Sequence, residues 1–368
     1  IVKLIYKNYL KNGIHKMKKC LICDGELIKF AEFGPMPIAN GFLKEEDFEN
    51  EYFFDLEVAY CEKSKMVQLI NQPKPSQMFH ENYAFFSGTS KNMGKHFELF
   101  ADYVIDTHLK NIASPFVCEI GSNDGILLKN FKKKGIKHLG VEPSSNVANV
   151  AKQAGINTIV EFFDPECAKK IVKEHGEADA FLAANVMCHI GSIKSVVEAI
   201  KILIKDDGVV IFEDPYLGEV LKNTTYDQIY DEHVFLFSIS SIQFLFNQFD
   251  MEIIDVFPQK THGGSMRYVI ANKGMKKISK KVGEFTNIEI EEGLTDIDKL
   301  HNFNDNCIRH KEDLMSLLNK LKSDGKTIAG YAATSKSTTV MNYCGINSNH
   351  LDCIYDTTPL KQNKYSPG

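Results

Sequence analysis

In VCEIGSNDG, Val117 to Gly125, an apolar run gives way to a small-residue turn in which Glu119 and Asp124 flank Gly121 and Asn123, with Gly125 at its end. Small residues at such a turn let backbone N–H groups come close to a ligand. The next apolar run closes on Glu142, and a carboxylate at that spacing can accept hydrogen bonds from both hydroxyls of a ribose. A dinucleotide site is the competing reading, but it would show Gly-x-Gly-x-x-Gly. Here the spacing is Gly-x-x-x-Gly, and two carboxylates repel a pyrophosphate while attracting amino and sulfonium groups. The set therefore points to S-adenosylmethionine, held by Glu119, Gly121, Asn123, Asp124, Gly125 and Glu142, with Asn185 at the end of a later apolar run facing the same crevice.

A second group of residues is rich in imidazole. His233 closes the sequence Tyr230, Asp231, Glu232, His233, on a polar interruption between helical stretches. Histidine titrates nearest neutrality and is the first candidate for a general base, and Glu232 or Tyr230 could orient the ring or share its proton. An isolated histidine would more often be structural. His189 follows Asn185 closely enough to enter the same crevice, or it starts a helix and bonds to backbone. His262, Gly264 and Arg267 lie in the turn of a hairpin, where glycines allow backbone to approach a ligand, or where the turn is merely tight. Ser335, Lys336 and Thr338 open a helix, a place suited to an anion or to a simple cap.

A third group is the pair Cys20 and Cys23 with the distant Cys61. Three such thiols suit a structural zinc site, which normally has four ligands. Three residues beyond Cys61 stands Ser64 rather than another cysteine. Another residue or water completes the site, or the metal is lost; zinc is the favoured reading and a redox dithiol at Cys20 and Cys23 the alternative.

The elements that would carry these residues follow from periodicity. PFVCEI, the glycine turn, a helix and HLGVEP make a βαβ unit, and further strands are expected at ADAFLAAN, GVVIFED, MEIIDVF and MRYVIAN. SIKSVVEAIKILI and SSIQFLFNQF read as helices between them. The pattern predicts an α/β doubly wound sheet ending in a hairpin, preceded by a loop-rich cysteine module and followed by a charged helical stretch and a smaller α/β unit. Expected boundaries are 18–79, 80–275 and 276–368. Residues before Met17 read as upstream sequence rather than fold, and the last domain reads as truncated.

The 368 residues carry a formal net charge of −5, which offers no basic footprint for nucleic acid, and no apolar run reaches the roughly 20 residues of a membrane span. Without a signal sequence, the chain reads as a soluble cytoplasmic protein, with no membrane partner and an open oligomeric state.

EIGSNDGILL, GVEPS, ANVMCHI, YDEHVFLFS and HGGSMR, with FGPMPIANGFL before them and GYAATSKSTTVMNYCGI and DTTPLKQNKYSPG after, resemble the sugar C-methyltransferase family that makes branched deoxysugars. The resemblance covers nearly the whole chain after Lys18. It implies a small zinc-binding amino-terminal domain, a central class I methyltransferase domain, and a carboxy-terminal domain that helps hold a nucleotide-linked 4-keto-deoxysugar. By the same resemblance His233 is the base that forms an enolate, His189 positions the substrate, and Tyr83 reaches the active site, although simple aromatic packing competes for Tyr83. Ser335, Lys336 and Thr338 are expected at the sugar diphosphate. A sugar O-methyltransferase, and a binding protein without turnover, are the alternatives.

Overall fold

The computed structural model describes residues 19–73, 78 and 91–368; Met17, Lys18 and Tyr83 lie outside the described residues. The amino-terminal part is an antiparallel sheet of β1 (Ile28–Pro37), β2 (Phe53–Cys61) and β3 (Met66–Leu69). The central part starts with α1 (Lys91–Val104) and β4 (Phe116–Ile120), whose five residues are all buried, as a strand covered on both faces requires. Next come α2 (Leu128–Lys133), β5 (Lys137–Val141), α3 (Ser145–Gln153), β6 (Thr158–Ile159), α4 (Pro165–His175) and β7 (Ala178–Ala184). α4 begins where the local chemistry says it should: Asp164 accepts the Cys167 N–H at 2.8 Å and Pro165 occupies the first helical position.

α5 (Ile193–Leu203) buries Ile193, Val196, Val197, Ile200 and Leu203, a stripe at helical spacing, and leads into β8 (Ile204–Pro215). α6 (Leu217–Asn223), β9 (Phe235–Leu236), α7 (Ile239–Asn247), β10 (Met251–Gln259) and β11 (Ser265–Asn272) complete this part. The central sheet has seven strands in the order β10-β11-β8-β7-β4-β5-β6. β4 pairs in parallel with β5 and β7, β7 with β8, and β11 runs antiparallel between β8 and β10. The chain winds outward from β4 to β6 and returns to β7, so the order reverses between β4 and β7. A doubly wound sheet opens its ligand crevice beyond the carboxyl ends of the strands at such a reversal.

The charged stretch forms α8 (Lys280–Glu291) and the long α9 (Ile297–Ser323); a two-stranded parallel sheet, β12 (Ala329–Tyr331) with β13 (Cys353–Tyr355), flanks α10 (Ser335–Cys344).

Among the joins between these parts, two bear on the segment before β9. β9, from the central stretch of the chain, is the fourth strand of the amino-terminal sheet: it pairs antiparallel with β3, Val67 opposite Leu236, and Leu69 N–H donates to the Val234 carbonyl at 2.9 Å. α10 is pinned on its inner face: Thr338 Oγ1 donates to the Ala39 carbonyl at 3.0 Å and Thr339 Oγ1 to the Ile229 carbonyl at 2.8 Å. The segment 229–233 is thus clasped by chain from both flanking parts. Among the described residues no helix is long and apolar enough to cross a membrane.

Candidate active site

The turn after β4 lies at one lip of the crevice. Gly121 has φ 56°, and a Cβ there would come within 2.4 Å of Val186 Cγ2, so the turn demands glycine both for its backbone and for the close approach of the loop after β7. Glu142 holds the turn, with Oε2 accepting the Asn123 N–H at 3.0 Å and Oε1 the Ser144 N–H at 2.8 Å. Gly125 lies at φ 78° and Asn123 at φ 49°.

Glu119 is buried, and that burial, reinforced by Glu142 and Asp124, pushes its carboxyl well above the usual range. Glu142 is raised too, by burial, against the pull of its backbone donors. Three converging carboxylates repel one another until a cation arrives. Glu119 Oε2 and Asn185 Oδ1 are buried with no hydrogen-bond partner, which fits a ligand carrying donors and positive charge. The crevice therefore fits S-adenosylmethionine.

The other lip is imidazole. Tyr230, Asp231, Glu232 and His233 lie inside the protein rather than on an open polar interruption, each under 9% exposed. The carboxylates are accommodated there by donors from the amino-terminal part: Ala39 N–H reaches Asp231 Oδ1 at 3.0 Å and Asn40 Nδ2 reaches Glu232 Oε1 at 2.7 Å. His233 Nδ1 lies 2.6 Å from the Gln228 carbonyl, which can only accept, so Nδ1 carries the proton. Nε2 then offers its lone pair to the Tyr230 hydroxyl, 2.9 Å away.

Burial, followed by the neighbouring His189 and Lys336 charges, drives the His233 pKa well below its ordinary value, so the ring is neutral near pH 7. His189 stacks on it with ring centroids 5.2 Å apart and is itself driven down to about 3 by burial. His262, in the turn before β11, is lowered to about 4 by burial and by Lys336. Cys188 brings its sulfur within 4.8 Å of ring nitrogens of both His189 and His233.

Lys336, in the first turn of α10, completes this lip. Burial lowers its pKa, and among the described residues its ammonium makes no ion pair within 4.0 Å. It also lines a cleft of about 480 Å³ with Tyr226, Asp227, Tyr331 and Thr334.

Several residues singled out in the sequence face elsewhere. Glu232 turns to Asn40, and the His233 ring is oriented by Gln228 and Tyr230 instead. Thr338 is buried against Ala39, and the cap of α10 is the reciprocal pair Thr334 and Ser337 rather than Ser335. Arg267 is committed to Glu213, with Nε at 3.0 Å and Nη2 at 2.8 Å, and its guanidinium lies 3.8 Å over the Phe100 ring. Gly264 is needed for approach, but to a side chain: a Cβ would meet Glu219 Cγ at 2.5 Å.

Sequence reasoning missed Ala39 and Asn40, which hold the carboxylates beside His233, and also Gln228 and the Glu213–His96 contact. Only the FGPMPIANGFL motif carried any signal of the first two. It missed Glu289 as well, which is fully buried and accepts from Ile239 N, Ser240 N, Ser240 Oγ and Tyr216 Oη, capping α7 from a different part of the chain.

In the amino-terminal part the three cysteines do meet. The Cys20, Cys23 and Cys61 sulfurs lie within 4.8 Å of one another, and a Cβ on Gly25 would sit 3.2 Å from both Cys23 and Cys61, so glycine leaves the room the cluster uses. A soft trio of thiols in a buried pocket fits a structural zinc ion.

Known proteins resemble this chain in each of its three parts. Residues 20–79 match the family profile described as "Putative zinc binding domain", 93–256 that described as "Methyltransferase domain", and 260–368 that described as "C-methyltransferase C-terminal domain". The chain is 29% identical to C-methyltransferase NovU of Streptomyces niveus over 362 residues, spanning 98% of this chain and 86% of that one. The magnesium protoporphyrin IX methyltransferase ChlM of Synechocystis PCC 6803 overlays on 49% of this chain and 83% of its own, at 12% identity and a TM-score of 0.38. An S-adenosylmethionine-dependent methyltransferase of Clostridium acetobutylicum overlays on 48% and 92%, at 12% identity and a TM-score of 0.39.

A seven-stranded sheet in this order, with an acidic glycine turn at its reversal point, defines a class I S-adenosylmethionine-dependent methyltransferase. The matched domains on either side of it narrow the activity: the chain is an S-adenosylmethionine-dependent C-methyltransferase.

Proposed function

We propose that the protein transfers a methyl group from S-adenosylmethionine to the carbon α to the ketone of a nucleotide-linked 4-keto-deoxysugar, as a step in deoxysugar biosynthesis. The observation that carries this reading is the Tyr230–His233 pair, a neutral imidazole with its lone pair aimed at a phenol, at the lip facing the donor crevice. Carbon is methylated only as a nucleophile, and a sugar carbon becomes one only when a base removes a hydrogen beside a carbonyl.

In the proposed sequence the α C–H bond breaks, its electron pair enters the carbon–oxygen framework as an enolate, and the proton passes to His233 Nε2 directly or through the Tyr230 hydroxyl. Gln228 keeps Nδ1 protonated throughout, so the accepting nitrogen is always the same one. S-adenosylmethionine supplies an electrophilic methyl on a sulfonium, released to the enolate carbon as neutral S-adenosylhomocysteine leaves. Glu119, Asp124 and Glu142 hold the donor's cationic and ribose groups, with Gly121, Asn123, Gly125 and Asn185 forming its walls.

Lys336 and Ser335 at the start of α10 are assigned to the diphosphate, and His189 and His262 to the sugar. Arg267, Gly264 and Thr338 support that surface rather than touch the ligand. Tyr83 is assigned to the site on resemblance alone. Cys20, Cys23 and Cys61 hold structural zinc, which supplies folding energy and no chemistry.

The test is incubation with nucleotide-linked 4-keto-deoxysugars in deuterated water, followed by NMR. Deuterium should enter the α position with the native protein and not with His233→Asn, and with donor present the new methyl should appear on carbon. A methyl on oxygen, or exchange that ignores His233, overturns the proposal.

A further inference from the structure

The cysteine cluster is built from two turns with matching backbones. In the first, Cys20 and Cys23 are followed by Asp24 at φ 56°; in the second, Cys61 and Ser64 are followed by Lys65 at φ 59°. A left-handed residue directly after the second ligand position is uncommon outside glycine, more so for lysine than for aspartate, yet both turns adopt it. Ser64 therefore occupies in the second turn the place that Cys23 occupies in the first.

The side chain behaves accordingly. A serine in the tight turn between two antiparallel strands would ordinarily face water, but Ser64 is fully buried. Its Oγ lies 3.2 Å from Cys20 Sγ, while Cys23 Sγ lies 3.5 Å from Cys61 Sγ, so each turn reaches across to the other. The Cys61 sulfur is in hydrogen-bonding contact with Ser64, Cys23 and Cys20. Three sulfurs and one oxygen around a tetrahedral zinc, at bond lengths of about 2.3 Å for sulfur and about 2.0 Å for oxygen, are separated by roughly 3.5 to 3.8 Å. The two measured edges are already within a few tenths of an ångström of that figure.

We propose that Ser64 Oγ is the fourth ligand, making this a three-thiolate, one-oxygen zinc site. The assignment has a physical rationale beyond position. Three thiolates and a neutral hydroxyl leave a net charge of −1 around Zn²⁺, whereas four thiolates leave −2, and the smaller charge is less costly to bury. The cost falls on affinity, because a hydroxyl is a weaker and harder donor than a thiolate. The site holds its ion more loosely than a four-cysteine site would, and exchanges it faster.

The test replaces zinc by cobalt in the full chain and compares the native protein with Ser64→Cys and Ser64→Ala. Native protein should bind one ion with the absorption of a tetrahedral site bearing three sulfurs and one oxygen, and X-ray absorption of the zinc form should show the same set. Ser64→Cys should move the spectrum to that of four sulfurs and tighten zinc binding at least tenfold. Ser64→Ala should weaken binding about tenfold and change the spectrum. An alanine variant with native affinity and spectrum would mean that water holds the fourth position, and would overturn the proposal. So would a native protein that takes up no cobalt, or a Ser64→Cys protein whose spectrum keeps its oxygen ligand; because the cysteine variant can only add a ligand, it keeps the test alive if the alanine variant does not fold.

Discussion

The two lips of the crevice carry opposite kinds of electrostatic frustration. On the β4 side three carboxylates crowd one another, and Glu119 and Glu142 hold their protons more tightly than exposed acids do. On the other side three histidines and Lys336 crowd one another, and all four bind protons less tightly than they would in water. Each lip is costly alone and each would be relieved by a ligand of opposite sign: a sulfonium on one side and, under the proposed function, a diphosphate or developing oxyanion on the other. On that proposal one crevice sorts two ligands by charge before any shape is read.

The sharpest way to break this contrast is at His233. Replacement by alanine should lower kcat by about 10²- to 10⁴-fold, the range for a general base, while donor affinity measured by calorimetry stays unchanged. A parallel loss of donor binding would mean that the two lips are not independent. On the acidic side, Glu119→Gln should weaken donor binding by about tenfold, one charge-assisted contact, and leave α-carbon exchange intact.

The same lip predicts a proton count. Because folded Glu119 keeps its proton above the ordinary carboxylate range and a cation favours its ionised form, donor binding should release protons and tighten as pH rises toward the raised pKa. Titration in buffers of different ionisation enthalpy reads that number directly, and zero release removes the argument. The basic lip has the reverse sign. His189 and His262, held at about 3 and about 4, take fewer protons folded than unfolded, so their contribution to stability is present above about pH 6.5 and is lost as pH falls toward those values. Denaturant midpoints at neutral and at mildly acidic pH check it, and kcat should show no acid limb at pH 6.5.

The smallest effect lies outside both lips. Glu289→Gln keeps the shape of the α7 cap but loses the charge that accepts four donors, and should cost about 1 to 3 kcal/mol of stability with donor affinity unmoved.

How much of this was legible in the sequence follows the same division. The donor lip was readable because it is local: strand, glycine turn and the acid at Glu142 sit within one βαβ unit, where chain spacing and spatial spacing coincide. The basic lip gave up its residues but not its supports. Asp231 meets Ala39 across 192 residues and Ala39 meets Thr338 across 299, and no periodicity reports a contact of that range. Arg267 and Thr338 are expected at the ligand from their places in a hairpin turn and at a helix start, yet local position says nothing of the Glu213 or Ala39 waiting beside them. Ser64 was conspicuous as a mismatch in a cysteine pattern, and only its burial and the twin turn gave the mismatch a meaning.

The two-residue strand β9 has a consequence for damaged protein. It begins two residues after His233 and draws its partner strand from the amino-terminal sheet, whereas the glycine turn is braced by Glu142 from the end of the next strand of its own sheet. Removing the amino-terminal sheet should therefore loosen the imidazole's splint and leave the brace on the methyl-donor turn in place.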